Sequence, residues 1–144
     1  ITPDDQSGGR GTKFGTMIHA FAEKIASGEE LTISQGERGK EDKENVRNFI
    51  LSLSGKLLPE QEVLIPQYEN GNKYVYHGTI DLLHVSDDRV QVIDYKTDED
   101  RTNEPEYRKQ ISLYIDGVSA EYSDRKITGH IYYTKLDELI NTEY

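Results

Sequence analysis

Two turn signals divide the middle of this chain into three extended runs, and charged side chains stand inside two of them. Asn70-Gly71 favours a tight hairpin, and Ser86-Asp87-Asp88 marks a second reversal. Around them, Glu62 to Ile65, Lys73 to Val85 and Val90 to Tyr95 read as strands. An antiparallel meander is therefore expected, with Pro66 halting the first strand and Gly78 bending the second. Asp81 falls in the second run, within Gly78-Thr79-Ile80-Asp81. Asp94 and Lys96 fall in and just after the third, within Ile93-Asp94-Tyr95-Lys96. Strands seldom bury such groups without a reason, because unpaired buried charge is costly.

The spacing between Asp81 and Asp94, less a short turn, lets the two carboxylates face each other across the hairpin. Two carboxylates so placed repel and raise one pKa. Mg²⁺ or Mn²⁺ relieves the repulsion, since hard oxygen ligands and water suit such ions. Lys96 shares strand parity with Asp94 and points to the same face. Its ammonium can hold a water or hydroxide and offset charge at a phosphate. The plainer alternative is a surface salt bridge between Asp94 and Lys96.

Helices flank the meander. Residues 14–27 carry an apolar face of Phe14, Met17, Ile18, Phe21 and Ile25, with Thr12 as a candidate cap and Gly28 as a stop. His19 lies beside that stripe, where a lone histidine is usually packed or exposed rather than a ligand. Residues 41–54 form a second helix, with Val46, Phe49, Ile50 and Leu53 inward. Glu41, Lys43, Glu44, Arg47 and Asn48 lie on its polar side. After a loop over 97–105, residues 106–119 return to helical spacing, with Tyr107, Ile111, Tyr114, Ile115 and Val118 inward. A strand from Ile127 to Thr134 and a short helix over Leu136–Ile140 complete the order. The fold class expected is α+β, a mixed sheet with an antiparallel three-strand meander flanked by helices.

Other polar residues admit two readings. Glu62 could aim at the carboxylate cluster, with Glu60 as its competitor of the same parity, or both could be ordinary strand-edge residues. Gln110 and Tyr114 share a helix face and could bind phosphate oxygens or orient the lysine. Alternatively Tyr114 packs into the core. His77, His84 and His130 have no visible partner and default to structural roles. The loop Asp98-Glu99-Asp100-Arg101 lacks the glycine and spaced carboxylates of a calcium loop and reads as solvated. Gly8-Gly9-Arg10-Gly11 reads as flexible linker rather than as a phosphate-binding loop.

Composition narrows the function. The 144 residues carry a net charge of −10, a poor basis for general nucleic-acid binding, so any such contact should be local, metal-assisted or supplied from outside. Absence of cysteine excludes disulfides and cysteine-held zinc or iron–sulfur centres within this segment. No apolar run reaches the ~18 residues of a membrane span. A cytoplasmic location fits. The opening Ile1 and the linker-like residues 1–10 suggest a piece of a longer protein, with one domain over 11–144.

Taken in order, five segments resemble the RecB-like branch of the PD-(D/E)XK nuclease superfamily. They are Gly15-Thr16-Met17-Ile18-His19, Glu62-Val63, Gly78-Thr79-Ile80-Asp81, Ile93-Asp94-Tyr95-Lys96-Thr97-Asp98, and Tyr107-Arg108-Lys109-Gln110 leading to Tyr114. The wording Asp94-Tyr95-Lys96-Thr97-Asp98 looks most like the nuclease domain at the carboxyl end of AddA-type and other UvrD-like helicases. The family's usual proline after the glutamate is displaced here to Pro66.

That resemblance implies a restriction-endonuclease-like fold and a Mg²⁺- or Mn²⁺-dependent deoxyribonuclease without an iron–sulfur cluster, exonuclease in preference to endonuclease. It implies His19, Asp81, Asp94 and the Tyr95 carbonyl as metal ligands and Glu62 as an assistant to a metal or its water. Lys96 would position the nucleophile, and Gln110 and Tyr114 would steady DNA and the lysine. DNA and a helicase, in the same chain or complex, are the implied partners, with no membrane, in end processing, recombination and repair. Two other readings remain: a nuclease-like module that binds DNA or a helicase without cutting, and an α+β interaction domain whose charges are incidental.

Overall fold

The computed structural model describes residues 10–142. In chain order its elements are α1 (Gly11–Ala26), α2 (Lys40–Ser52), β1 (Lys56–Glu69), β2 (Asn72–Val85), β3 (Arg89–Lys96), α3 (Glu104–Ser119), β4 (Lys126–Tyr133) and β5 (Glu138–Asn141). The strands make one mixed sheet in the order β1-β2-β3-β4-β5. The first three form the expected antiparallel meander, α3 crosses over to a parallel β4, and β5 returns antiparallel. The fold class is α+β, as expected.

The sheet buries both faces. Toward α3 pack Val63, Ile80, Leu83, Val92, Ile111 and Ile131. On the other face Phe21 and Ile25 of α1 and Val46 and Ile50 of α2 pack against Leu82 and Ile93 of the sheet. Gly28 closes α1 as expected. Its N–H donates to the Ile25 carbonyl at 3.0 Å and the Glu29 N–H to Lys24 at 3.0 Å, the paired bonds that satisfy a helix's last carbonyls. The β1–β2 turn at Asn70-Gly71 has φ of 51° and 79°, the left-handed pair that a tight hairpin needs.

Several expectations need correction. Pro66 does not halt β1: it pairs opposite Val75 inside the strand, and Pro59 lies inside it too. β1 is an edge strand, where a missing N–H need not break a ladder. Thr12 lies within the first turn of α1, which starts at Gly11. The final segment is strand β5, not a helix. Pairing Tyr133 with Glu138 covers the edge of β4 and sets Ile140 against the core, which so short a helix could not do. Lys43 is not on an exposed polar face: it is buried, its Nζ over the Phe21 ring at 5.7 Å and paired with Glu37. Asp98 is buried rather than solvated. The linker expected over 1–10 lies outside the described residues except for Arg10, which is tied down by Asp42.

One irregularity places the site. Regular alternation would send Ile80 and Leu82 to the same face, yet they belong to opposite cores. The slip falls at Asp81. Across on β1, the register is interrupted between Pro59↔Leu82 and Gln61↔Ile80, at Glu60, whose φ is 50°. The β2–β3 ladder runs from Val85↔Val90 to Leu82↔Ile93. Beyond it, the Tyr95 N–H donates to Asp81 Oδ2 at 2.8 Å instead. From here β1 and β2 continue as a two-stranded ribbon with Tyr68, Tyr74, Val75 and Tyr76 exposed.

Candidate active site

The sheet opens where β2 and β3 part, and four of the singled-out side chains meet at that opening. Asp81 comes from the slip in β2, Asp94 and Lys96 from the end of β3, and His19 from α1. His19 Nε2 lies 3.2 Å from Asp81 Oδ2, while Nδ1 meets the Gly15 carbonyl at 2.8 Å. A backbone carbonyl on Nδ1 fixes the ring so that Nε2 faces the carboxylate. Gly15 lies against the end of β3, where a Cβ would meet Thr97 Oγ1 at 3.5 Å in ordinary contact.

The electrostatics are unbalanced. Burial alone would lower the His19 pKa, but the bond to Asp81, with the Gly15 carbonyl and the Asp94 charge, raises it to about 9. Burial also opposes ionisation of Asp81, yet His19 and the Tyr95 N–H hold it below the usual carboxylate range. Asp94 goes the other way. Burial, then the Asp81 charge, push it up to about 7, with Lys96 and His19 only partly offsetting this. Lys96 Nζ is 3.0 Å from Asp94 Oδ2. The approach is poorly aligned, however, and Oδ2 is left buried without a well-formed hydrogen bond. The two neighbouring carboxylates are thus pushed in opposite directions, the pattern of a shared charge problem.

Around this centre the structure sorts the remaining candidates. Glu62 does not point at the cluster. It is exposed on the outer face of β1 and borders a separate hollow beside Gly117 and Glu121. Its competitor Glu60 does, because the backbone turn at φ 50° swings it out of phase with the strand. Burial, then Asp81 and Glu23, raise the Glu60 pKa, and His19 lowers it. Glu60, His19 and Glu23 line one cleft of roughly 550 Å³ that reaches the site from outside, with Asp98 and Tyr107 on its other wall. Tyr114 is buried against β2: a Cβ on Gly78 would stand 2.6 Å from its ring, so only glycine fits. Burial, with the charges of Asp94 and Asp81, pushes its hydroxyl up to about 12. Gln110 sits half-buried one turn earlier on α3. His77 is exposed; His84 bonds Gln91 at 2.6 Å, and His130 bonds Thr128 at 2.9 Å, both away from the site.

Sequence reasoning put Asp98 in a solvated loop and Tyr107 on an inward helix face, and gave neither a role at the site. Asp98 accepts a hydrogen bond from the Tyr107 hydroxyl at 2.7 Å. Lys96 Nζ lies 4.2 Å from the Tyr107 ring centroid. The signals were present: Asp94, Lys96 and Asp98 share parity, and Tyr107 stands three and seven residues before Gln110 and Tyr114 on one helix face.

The donor set suits a hard or borderline divalent ion: an imidazole nitrogen fixed from behind and two carboxylates, one of which keeps a buried oxygen without a well-formed hydrogen bond. Among the described residues no three His, Asp or Glu side chains form a ready cluster around an ion position. Asp81 Oδ2 is instead spent on His19 and the Tyr95 N–H. A cation would replace the charge that His19 and its proton supply there.

Comparison with known proteins adds a family. The model of the PD-(D/E)XK nuclease superfamily matches residues 53–143, which hold the whole sheet, α3, Asp81, Asp94 and Lys96. No curated protein matches the sequence. Among solved structures, SSO0001 is similar at 16% identity over 92% of this chain and 77% of that one, with a TM-score of 0.43, a likeness too loose to bear on function. Among the described residues no helix is long and apolar enough to cross a membrane.

Proposed function

The chain belongs to the PD-(D/E)XK nuclease superfamily, and from that premise we propose that it is a metal-dependent deoxyribonuclease domain. On this reading it hydrolyses DNA phosphodiesters as an exonuclease, beside a helicase in the same chain or complex, during end processing, recombination and repair. The observation that carries the reading is Asp94, buried next to a second carboxylate with Lys96 Nζ 3.0 Å from it.

His19 Nε2, the Asp81 and Asp94 carboxylates and the Tyr95 carbonyl would hold Mg²⁺ or Mn²⁺, and the imidazole favours Mn²⁺ as a substitute. When bound, the ion supplies positive charge to the scissile phosphate and its leaving 3′ oxygen. Everything else is done by the chain. The Gly15 carbonyl keeps the His19 ring oriented. Lys96 donates to the attacking water and offsets charge as it builds on the phosphate. Glu60, nearer than Glu62, assists the same water. Gln110 and Tyr114 steady the DNA and the lysine from α3. With its net charge of −10 the domain binds DNA weakly alone, and the helicase delivers the strand.

The test is cleavage of labelled DNA in Mn²⁺ by the wild type, Asp94→Ala and Lys96→Ala, with circular dichroism as a check on folding. The proposal expects cleavage by the wild type and none by either folded variant. Cleavage at the wild-type rate by both variants would overturn it. The lack of a ready three-ligand cluster among the described residues favours a second reading, a module that binds without cutting. A Mn²⁺ titration separates the two, since absence of binding favours the inactive module.

A further inference from the structure

A lysine that handles water at a phosphate has to be held still without having its donors used up. Lys96 has four rotatable carbons and three N–H donors. Asp94 holds its ammonium on one side at 3.0 Å. On another side lies the face of Tyr107, with Nζ 4.2 Å from the ring centroid. An aromatic face attracts a cation electrostatically and leaves the remaining N–H groups free to meet water or phosphate. A second hydrogen-bonding anchor would consume one of them.

The ring itself is fixed. The Tyr107 hydroxyl donates to Asp98 Oδ2 at 2.7 Å, and Asp98 is buried. The backbone beside Asp98 is held in turn, because Arg10 Nη1 donates to the Thr97 carbonyl at 3.0 Å. Asp98 lies two residues after Lys96, so one stretch of chain carries both the lysine and the carboxylate that aims the ring beneath it.

We infer that Tyr107, aimed by Asp98, is a positioning residue that holds the Lys96 ammonium in place through its ring face. The inference rests on the nuclease reading for its catalytic meaning, and on geometry alone for the contact. Tyr107→Phe keeps the ring and loses the hydroxyl's bonds to Asp98 and Asn103. Tyr107→Leu removes the face altogether, and Tyr107→Trp restores a larger one.

Two measurements test it together. In NMR spectra of lysine-labelled protein without metal, the Lys96 ε-methylene should be shifted upfield by the ring. The shift should survive in Tyr107→Phe and Tyr107→Trp and vanish in Tyr107→Leu. In Mn²⁺, kcat should fall roughly 2- to 30-fold in Tyr107→Leu, the span of one cation–π contact. KM should stay unchanged, Tyr107→Phe should fall less, and Tyr107→Trp should recover most of the rate. A Lys96 methylene without the upfield shift in the wild type would overturn the inference whatever the protein's activity. So would equal losses of rate in Tyr107→Leu and Tyr107→Phe that simply follow their melting temperatures. A wild type that shows the shift and cuts no DNA would overturn the nuclease reading, and with it any role for this contact in catalysis.

Discussion

Asp42 and Asp94 are both almost wholly buried, at 1% and 5% exposure, and yet they are opposites. Asp42 is fully answered. Arg10 donates to it from two nitrogens at 2.5 and 3.0 Å, and Thr134 Oγ1 donates at 2.7 Å. Those bonds join the start of α1, the start of α2 and the end of β4. Asp94 is not answered: a like charge adjoins it, Lys96 approaches off-axis, and one oxygen lacks a well-formed hydrogen bond. Burial of a charge therefore does not mark function in this molecule. A buried charge left in deficit is the better pointer to a site, because it costs stability.

The contrast can be broken by substitution. Asp94→Asn should reduce Mn²⁺-dependent cleavage by about 10³-fold or more, as loss of a central electrostatic group does. It should also raise the melting temperature of the metal-free protein, because a repelled buried charge is gone. A variant that melts lower and still cuts would place Asp94 in the same class as Asp42. Asp42→Ala should do the reverse, lowering stability by about 3 kcal/mol in chemical denaturation, since Arg10 and Thr134 lose their buried acceptor and Arg10 keeps only Glu99 and the Thr97 carbonyl. Its cleavage per folded molecule should fall far less than that of Asp94→Asn.

Protonation sharpens the same contrast. Asp94 has its folded pKa raised to about 7, so stability falls as pH rises from about 4, its ordinary range, to about 7 and then levels off. His19 has its folded pKa raised to about 9, so its pairing with Asp81 stabilises fully below its ordinary pKa of 6.5 and is lost as pH climbs through 9. Asp94 therefore lowers stability from about pH 4 to about 7 and adds nothing further above that, and His19 continues the fall from pH 6.5 to about 9. Melting of the metal-free protein should therefore fall across that window, and His19→Gln should flatten the fall. A melting temperature that rises through the window would contradict the assignment. The smallest effect expected is at β1. Glu60→Gln should slow cleavage, whereas Glu62→Gln should leave rate and stability within the roughly 0.5 kcal/mol of an ordinary surface change. The reverse ranking would return the role to Glu62.

What could be read in the sequence was local. The meander followed from Asn70-Gly71 and the apolar runs, and α1 and α3 followed from stripes of period 3.6. Pro66 misled because tolerance of proline depends on β1 being at the sheet's edge, a fact of tertiary order. β5 was mistaken for a helix because only the open edge of β4 decides between them. The burial of Asp42 required Arg10, 32 residues away and in a segment that resembled linker. At the site, the parity of Asp94 and Lys96 was plain. The choice of Glu60 over Glu62 was not, because a single left-handed residue shifts the phase of the strand and no periodicity records it.

The central claim is that the deficit at Asp94 is the place of a divalent cation. Crystals soaked in Mn²⁺ and measured for anomalous scattering address it most directly. The account expects a peak at bonding distance, roughly 2.0–2.6 Å, from His19 Nε2 and from oxygens of both Asp81 and Asp94. No peak there at saturating Mn²⁺, or a peak only elsewhere on the acidic surface, would contradict it.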